Sequence, residues 1–507
     1  MTTSTKIRAF KIGLGQRPLL RSSIIFLLIA IVLGAFGDFE VTTLDPWIEI
    51  KRMVFGAITP DFTATEDLWS SLVNTVAFAI LGVVLGNILG FPLALAFKFR
   101  SIRVFCAFIR SVHELFWALI FLQVFGLTPL TGILAIAIPY SGIFAKVYSE
   151  ILDESDPSPL QIVPNGTGSA ATFMFVRMPD AWSHFKTYAL YRLECGLRSS
   201  AILGFIGLPT IGFHLESAFS QGKYSEVAAL LIIFYVVIAT IRKWIYAKLI
   251  PLYILLAIAL IPWAGELTTG NLIRFFTHDV LPYPLRITET YNMETFALLT
   301  SWLTTIWNEQ AIPGLINTII LTQVALVGSA VLTLMLFPLV SSKFFGVTGR
   351  TGGHIFLVIL RSTPEYVLAL IFLLLWGPSM LPAVVALALH NGAIIGHLMG
   401  HYTEDMNLRP DKPRGLNLYF YDILPRLYPQ FLAFLFYRWE VIMRETAILG
   451  ILGIATLGFY IDSAFADLRF DRALFLIIFT AGLNMCIDSL SRFIRGRLQL
   501  RTTADII

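Results

Sequence analysis

A block near the middle of the chain returns near its end. Tyr191-Arg192-Leu193-Glu194-Cys195-Gly196-Leu197-Arg198, followed by Ala201-Ile202-Leu203-Gly204, is answered by Tyr437-Arg438-Trp439-Glu440-Val441-Ile442-Met443-Arg444 and Ala447-Ile448-Leu449-Gly450. The match runs on through Gly207, Thr210, Gly212 and Phe213 to Gly453, Thr456, Gly458 and Phe459. Upstream, Arg110-Ser111-Val112-His113-Glu114 corresponds to Arg361-Ser362-Thr363-Pro364-Glu365, and both continue into Ala-Leu-Ile-Phe-Leu. The offset is roughly 250 residues, too long for a solenoid repeat, so the chain is a duplicated domain.

What kind of domain is duplicated follows from hydropathy. Of 507 residues, 56% are hydrophobic and 14% charged, against about 25% charged in a soluble domain. Mean hydropathy is +0.75. Apolar stretches near the roughly 20-residue span length recur throughout, which predicts an all-α polytopic membrane protein. About twelve spans are expected, near 22–40, 67–97, 104–126, 130–152, 183–208, 227–247, 249–265, 311–340, 354–377, 381–402, 429–455 and 472–492. Six spans per half put both halves into the membrane from the same side, so a parallel repeat is expected. The halves divide as 1–248, with a core at 70–247, and 249–507, with a core at 313–493.

Charge sets the orientation. Lys6, Arg8, Lys11, Arg17 and Arg21 precede the first span, and Asp38, Glu40, Asp45 and Glu49 follow it. The positive-inside rule places both termini in the cytoplasm, in agreement with Lys98, Arg100 and Arg103, with Arg242, Lys243 and Lys248, and with Arg492, Arg495, Arg497 and Arg501. The first apolar run is long for a signal peptide and lacks a clean cleavage site, so it reads as a retained span. The net charge of +4 follows the membrane and says little about partners, and no nucleic-acid partner is expected.

Several chemistries are excluded. No Walker A sequence is present; the only Gly-Lys pair, Gly222-Lys223, continues into Tyr224. His113-Glu114-Leu115-Phe116-Trp117 begins like a zinc-protease motif but ends in Trp117. Cys106, Cys195 and Cys486 are scattered, without metal-ligand spacing. No nucleophile elbow appears. Neither an enzyme nor a resident metal or cofactor is expected.

Charges inside the apolar segments are the candidates for function. Arg110 and Glu114 are four apart, as are Arg361 and Glu365, Glu194 and Arg198, and Glu440 and Arg444. That spacing predicts a shared helix face. A guanidinium at the bilayer centre costs at least about 2.5–3.5 kcal/mol, so residues of this kind face a bundle interior or a polar cavity. Two readings stand for Arg192, Arg198, Arg438 and Arg444. They line a pathway for an anion, whose oxygens suit the planar guanidinium fork, or they are neutralised in helix contacts by carboxylates such as Glu194 and Glu440. Arg110 and Arg361 lie near span ends and read first as structural. The glycines at 204/207 and 450/453 read as close helix packing. His390-Asn391, roughly aligned with Pro139-Tyr140, reads as a packing or hydrogen-bonding site. Two polar inner loops, 153–182 and 403–428, carry Pro157, Pro159, Pro164, Asn165 and Gly166, or Pro410, Pro413 and Gly415, and each ends on a proline, Pro179 or Pro425. They are expected to contain short helices and to form docking surfaces.

These motifs resemble the permease subunits of bacterial phosphonate ABC importers: Arg-Ser-x-x-Glu before an Ala-Leu-Ile-Phe run, and Tyr-Arg-x-Glu-x-x-x-Arg-x-x-Ala-Ile-Leu-Gly before a glycine-rich turn. The resemblance covers most of 70–247 and 313–493. It implies the type I importer (MetI-like) permease fold in a bacterial inner membrane, two units forming one pathway, a separate cytoplasmic ATPase pair, an extracytoplasmic binding protein and a phosphonate-like substrate. Phosphite, phosphate or another oxyanion fits the same arginines, and a permease for another small solute is the alternative. Such permeases carry Glu-Ala-Ala-x-x-x-Gly in the inner loop, with Leu-Pro farther on. Here the first copy reads Leu160-Gln161-Ile162-Val163-Pro164-Asn165-Gly166, then Met178-Pro179; the second keeps Leu424-Pro425, with Lys412 at the glycine position and Gly415 three residues late. A secondary transporter of the major facilitator type also has parallel six-span halves, but usually with a long central cytoplasmic loop that is nearly absent here. A scaffold without transport is disfavoured by the paired intramembrane charges.

Overall fold

The computed structural model describes residues 17–43, 45–156, 158–164, 166–263, 269–287, 292–411 and 413–500. Lys6, Arg8, Lys11, Pro157, Asn165, Lys412 and Arg501, singled out above, lie outside the described residues. Within them the structure is helical, without strands. The main helices in chain order are α1 (Arg17–Gly34), α2 (Pro46–Ile58), α3 (Leu68–Leu95), α4 (Arg100–Ser111), α5 (Glu114–Phe125), α6 (Pro129–Glu154), α7 (Met178–Ile202), α8 (Ile211–Ser220) and α9 (Tyr224–Trp244). They continue as α10 (Ile250–Leu260), α11 (Met293–Ile306), α12 (Ile312–Leu336), α13 (Val347–Ser362), α14 (Glu365–Trp376), α15 (Met380–Asp405), α16 (Leu424–Ile451), α17 (Leu457–Ala466) and α18 (Phe470–Arg497). Among the described residues six helices are long and apolar enough to cross a membrane, or nine crossings if each of three bent helix pairs makes one. The all-α polytopic expectation is met.

The chain forms two compact units. The N unit is built from Ile50–Leu299 and Asp467–Gly482, and the C unit from the described parts of Met1–Glu49, Thr300–Ala466 and Leu483–Thr503. The units follow packing and not the midpoint of the sequence. The C unit takes α1 as an outer helix: the Phe26 ring meets Phe436 at 5.0 Å and Trp439 at 5.1 Å, and Gln323 Nε2 donates to the Phe26 carbonyl. The N unit correspondingly packs α10 on α3, burying Ala257 and Ile261. The outward faces of α1 and α10, with Leu20, Ile24, Leu28, Leu252 and Leu255 exposed, suit lipid.

Each unit is centred on one close helix pair. In the N unit Gly82, Gly86 and Gly90 form a stripe along α3, and an added Cβ there would lie within 2.7, 2.9 and 2.6 Å of the Cβ atoms of Ile136, Tyr140 and Phe144 on α6. Small residues every fourth position let two backbones approach where lipid offers no hydrophobic drive. In the C unit the stripe is on the other helix: Gly392, Gly396 and Gly400 of α15 face Leu332, Leu336 and Val340.

The repeated glycine turn is also built alike. Gly207 and Gly453 have φ of +90° and +86°, a left-handed conformation that ends the preceding helix. A Cβ on Gly204 would sit 2.1 Å from the Phe213 nitrogen, and one on Gly450 2.1 Å from the Phe459 nitrogen. Close packing was the sequence reading of all four glycines; it holds for Gly204 and Gly450, whereas Gly207 and Gly453 serve the left-handed turn, with open space or ordinary contact around them. Asn-Thr pairs anchor the turn. Asn74 Nδ2 donates to the Pro209 carbonyl and Asn317 Nδ2 to the Ala455 carbonyl; Thr75 Oγ1 and Thr318 Oγ1 accept from the Ile211 and Leu457 amides.

One expectation is corrected. Arg110 and Glu114 do not share a helix face, and neither do Arg361 and Glu365. Val112-His113 and Thr363-Pro364 are extended, and the flanking helices meet at 87° and 93°. Proline disfavours helix at the residue before it, which breaks the second copy. In the first copy His113 Nδ1 accepts from the Leu115 amide and starts α5 afresh.

Candidate functional site

Four positions converge in each unit. In the N unit they are Glu114 at the start of α5, Tyr140 on α6, and Arg192 and Ser199 on α7. In the C unit the repeat places Glu365 on α14, Asn391 on α15, and Arg438 and Glu445 on α16.

The N-unit cluster is a relay of hydroxyls ending on one carboxylate. Ser199 Oγ donates to Glu114 Oε1 at 3.1 Å, and the Tyr140 hydroxyl lies 3.2 Å from Ser199 Oγ. His113 Nε2 stands 3.3 Å from the other Glu114 oxygen. Tyr140 is buried to 1% exposure, and Gly86 makes the room for it. Arg192 sits among aromatic rings. Its Nε donates to the Tyr188 hydroxyl at 2.8 Å, and its guanidinium carbon lies 5.3–5.7 Å from the ring centres of Tyr188, Tyr140 and Tyr191. These are cation–π distances.

The C-unit cluster is ionic. Arg438 Nε donates to Asn391 Oδ1 at 2.7 Å, an Arg438 amino group is 3.6 Å from Glu445 Oε1, and Asn391 Nδ2 donates to Glu445 Oε2 at 3.0 Å. Arginine, asparagine and glutamate therefore close a ring. His390 Nε2 lies 3.7 Å from Glu365 Oε2. Glu365, His390 and Glu445 bring ligand atoms within 4.8 Å of one another, all buried, a donor set of the kind that holds a cation. Both Glu445 oxygens already face donors, and a guanidinium beside the set repels a metal, so internal pairing is the better fit.

The sequence candidates fall into place unevenly. Arg110 and Arg361 end α4 and α13, on the far side of each helix break from the carboxylates. Glu194 makes no ion pair with Arg198 among the described residues; Arg198 reaches the Cys195 sulfur at 3.4 Å. Glu440 and Arg444 remain one turn apart on α16. Ser199, Tyr140, Tyr188 and Glu445 were missed. Glu445 was findable, because seven residues from Arg438 is two helical turns on one face. His390-Asn391 is a hydrogen-bonding site, as its polarity suggested.

In the inner loops, Gly166 and Gly415 both have positive φ, +94° and +59°, with open space around them. Short helices follow, at Ser169–Thr172 and Leu416–Leu418. Each then widens into one π turn, Phe173–Arg177 or Tyr419–Ile423, closed by the Met178 amide on the Phe173 carbonyl or the Leu424 amide on the Tyr419 carbonyl. Pro179 and Pro425 are the second residues of α7 and α16, directly after these π turns. Phe175 and Tyr421, at equivalent positions, are 82% and 72% exposed. The C-unit loop is the more tightly held. Asp422 accepts from the Arg409 amide and from Arg426 Nη1, and the Lys343 ammonium donates to the Thr403 and Met406 carbonyls. Burial lowers the Lys343 pKa from its ordinary value.

Polytopic helical units with buried polar clusters beside a glycine turn fit a membrane transport component. Comparison with known proteins agrees. The chain is similar to the phosphate-import permease protein PhnE of Mycolicibacterium smegmatis, 23% identical over 492 residues, 91% of each chain. It is similar to the phosphite transport system permease protein PtxC of Stutzerimonas stutzeri, 28% identical over 240 residues, 45% of this chain and 86% of that protein. It is also similar to a putative cryptic phosphonate transport system permease protein, PhnE2, of Escherichia coli, 26% identical over 107 residues, 21% of this chain and 88% of that protein. No family model matches the chain, and no solved structure matches it. The resemblance to phosphonate-type permeases read from the motifs is thus met, with one relative matched along both halves.

Proposed function

We propose that the chain is the membrane permease of an ATP-driven ABC importer for a phosphorus oxyanion, phosphonate, phosphite or phosphate. The observation that carries this reading is the match along 91% of both chains to a phosphate-import permease. The two repeats, 1–248 and 249–507, are two permease units of about twelve spans in all, and the bacterial inner membrane holds them with both termini in the cytoplasm. Arg110, Glu114, Arg192, Glu194 and Arg198, with Arg361, Glu365, Arg438, Glu440 and Arg444, are the residues among which pathway lining and structural pairing are divided.

ATP hydrolysis belongs to a separate cytoplasmic ATPase pair, and substrate arrives on an extracytoplasmic binding protein. The inner loops support the first partner. Gly166 and Gly415 turn the chain into short helices, Pro179 and Pro425 follow the π turns, and between them Phe175 and Tyr421 present aromatic surface that no described residue covers. The test is uptake of phosphate, phosphite and methylphosphonate into proteoliposomes holding the chain, the ATPase and the binding protein. Uptake that needs ATP hydrolysis is expected. Uptake by the chain alone on an ion gradient would establish the secondary-transporter reading instead.

A further inference from the structure

We propose that the oxyanion is met by one of the two repeat-equivalent arginines, Arg192 of the N unit, and that Arg438 of the C unit is a closed structural pair. The proposal rests on the import reading above and narrows it to a residue.

The two side chains occupy the same place in the repeat, but their charges are balanced differently. Arg438 is matched by Glu445 and spends its Nε on Asn391, which in turn holds the second Glu445 oxygen. An anion approaching Arg438 must first displace a carboxylate. Arg192 has no carboxylate in ion-pair contact among the described residues. Its only hydrogen bond there is from Nε to Tyr188, and three tyrosine rings surround it. The rings recover part of the cost of placing a cation in an apolar bundle, and cannot neutralise it. The carboxylate of the cluster, Glu114, is already engaged by Ser199 and His113.

Geometry adds to charge. With Nε committed, the two terminal amino groups of Arg192 present the parallel fork that grips two oxygens on one atom. Arg192 is half-buried. Phosphate, phosphite and phosphonate share the O–P–O edge that this fork matches. Where the C unit has Asn391 and Glu445 the N unit has Tyr140 and Ser199, and this exchange leaves its arginine open.

The experiment measures ATP-driven uptake of phosphate, phosphite and methylphosphonate by the full complex, alongside membrane abundance and ATPase association. Arg192→Gln is expected to lower uptake at least tenfold at normal abundance. The double variant Arg438→Gln with Glu445→Gln is expected to keep at least half of wild-type uptake, because it removes a neutral pair. Equal uptake by Arg192→Gln and wild type overturns the proposal, as does an equal fall in both variants at normal abundance. Should Arg192→Gln fail to accumulate, Arg192→Lys keeps the cation in its cage and loses the fork. Its KM is expected to rise several-fold, and an unchanged KM overturns the proposal. A wild-type complex that hydrolyses ATP but takes up none of the three probes defeats the import reading and this inference with it. Uptake by wild type with an indifferent Arg192 defeats the inference alone.

Discussion

The N and C units share a frame and differ in the chemistry it holds. The Asn-Thr anchors, the left-handed glycines and the helix break before the buried glutamate recur almost atom for atom. Both units set an imidazole beside the buried glutamate; beyond that the N unit joins its residues by hydroxyls and aromatic rings, and the C unit by guanidinium, amide and a second carboxylate. The lesson is physical. Backbone approaches tolerate almost no change, so they persist in both copies. Side chains that neutralise one another can be exchanged as a set, so the clusters have diverged.

The frame should break first and hardest. Gly212→Ala and Gly458→Ala each drive a Cβ to about 2 Å from a carbonyl oxygen, of Ala201 or Ala447. Both variants are expected to lose 3 kcal/mol or so, at or beyond the top of the usual overpacking range of about 1–3 kcal/mol, and membrane abundance should collapse alike. A large loss in only one would mean that the turns are not equivalent.

Cluster chemistry should separate the units next. Glu445→Ala leaves the Arg438 charge without its carboxylate and the Asn391 amide without that acceptor, and removal of one partner of a buried pair costs about 3–5 kcal/mol. Partial access of solvent puts this case at the lower end. Ser199→Ala, its repeat-mate, removes two neutral hydroxyl contacts, to Glu114 and to Tyr140, each worth about 0.5–1.5 kcal/mol. Thermal unfolding in detergent with bound ATPase would check the ranking, and equal shifts would erase the distinction drawn between the clusters.

The glycine stripes give a finer contrast. Gly86→Ala crowds Tyr140 at 2.9 Å and should cost about 1–3 kcal/mol. Gly396→Ala meets Leu336 only at 3.5 Å, an ordinary contact, and should cost nothing measurable. The same unfolding measurement reads both. The smallest effect on stability is expected from Phe175→Ala and Tyr421→Ala, within about 0.5 kcal/mol, because both side chains are exposed. Their expected effect is on ATPase association, measured by co-purification, and unchanged association would remove these residues from the docking surface.

Much of this was legible in the sequence. The duplication and the membrane class followed from repeated motifs and hydropathy, and charge in apolar segments singled out Arg192, Arg438, Glu114 and Glu365 as candidates. The pairing was not legible. Counting four residues from Arg110 and Arg361 ignored the breaks at His113 and Pro364, and counting four from Glu194 and Glu440 hid the two-turn partnership of Arg438 with Glu445. Tyr140 and Asn391 lie on other helices, tens of residues away, and periodicity within one helix carries no information about them. The stripe at 82, 86 and 90, mirrored at 392, 396 and 400, was visible as spacing, but which helix it would face was not.

The most direct test is an experimental structure of the complex with its ATPase in the presence of phosphate. The account predicts an anion within hydrogen-bond distance of the Arg192 amino groups, with the Arg438–Glu445–Asn391 ring still closed. An anion at Arg438 with that ring opened, and none at Arg192, would contradict it.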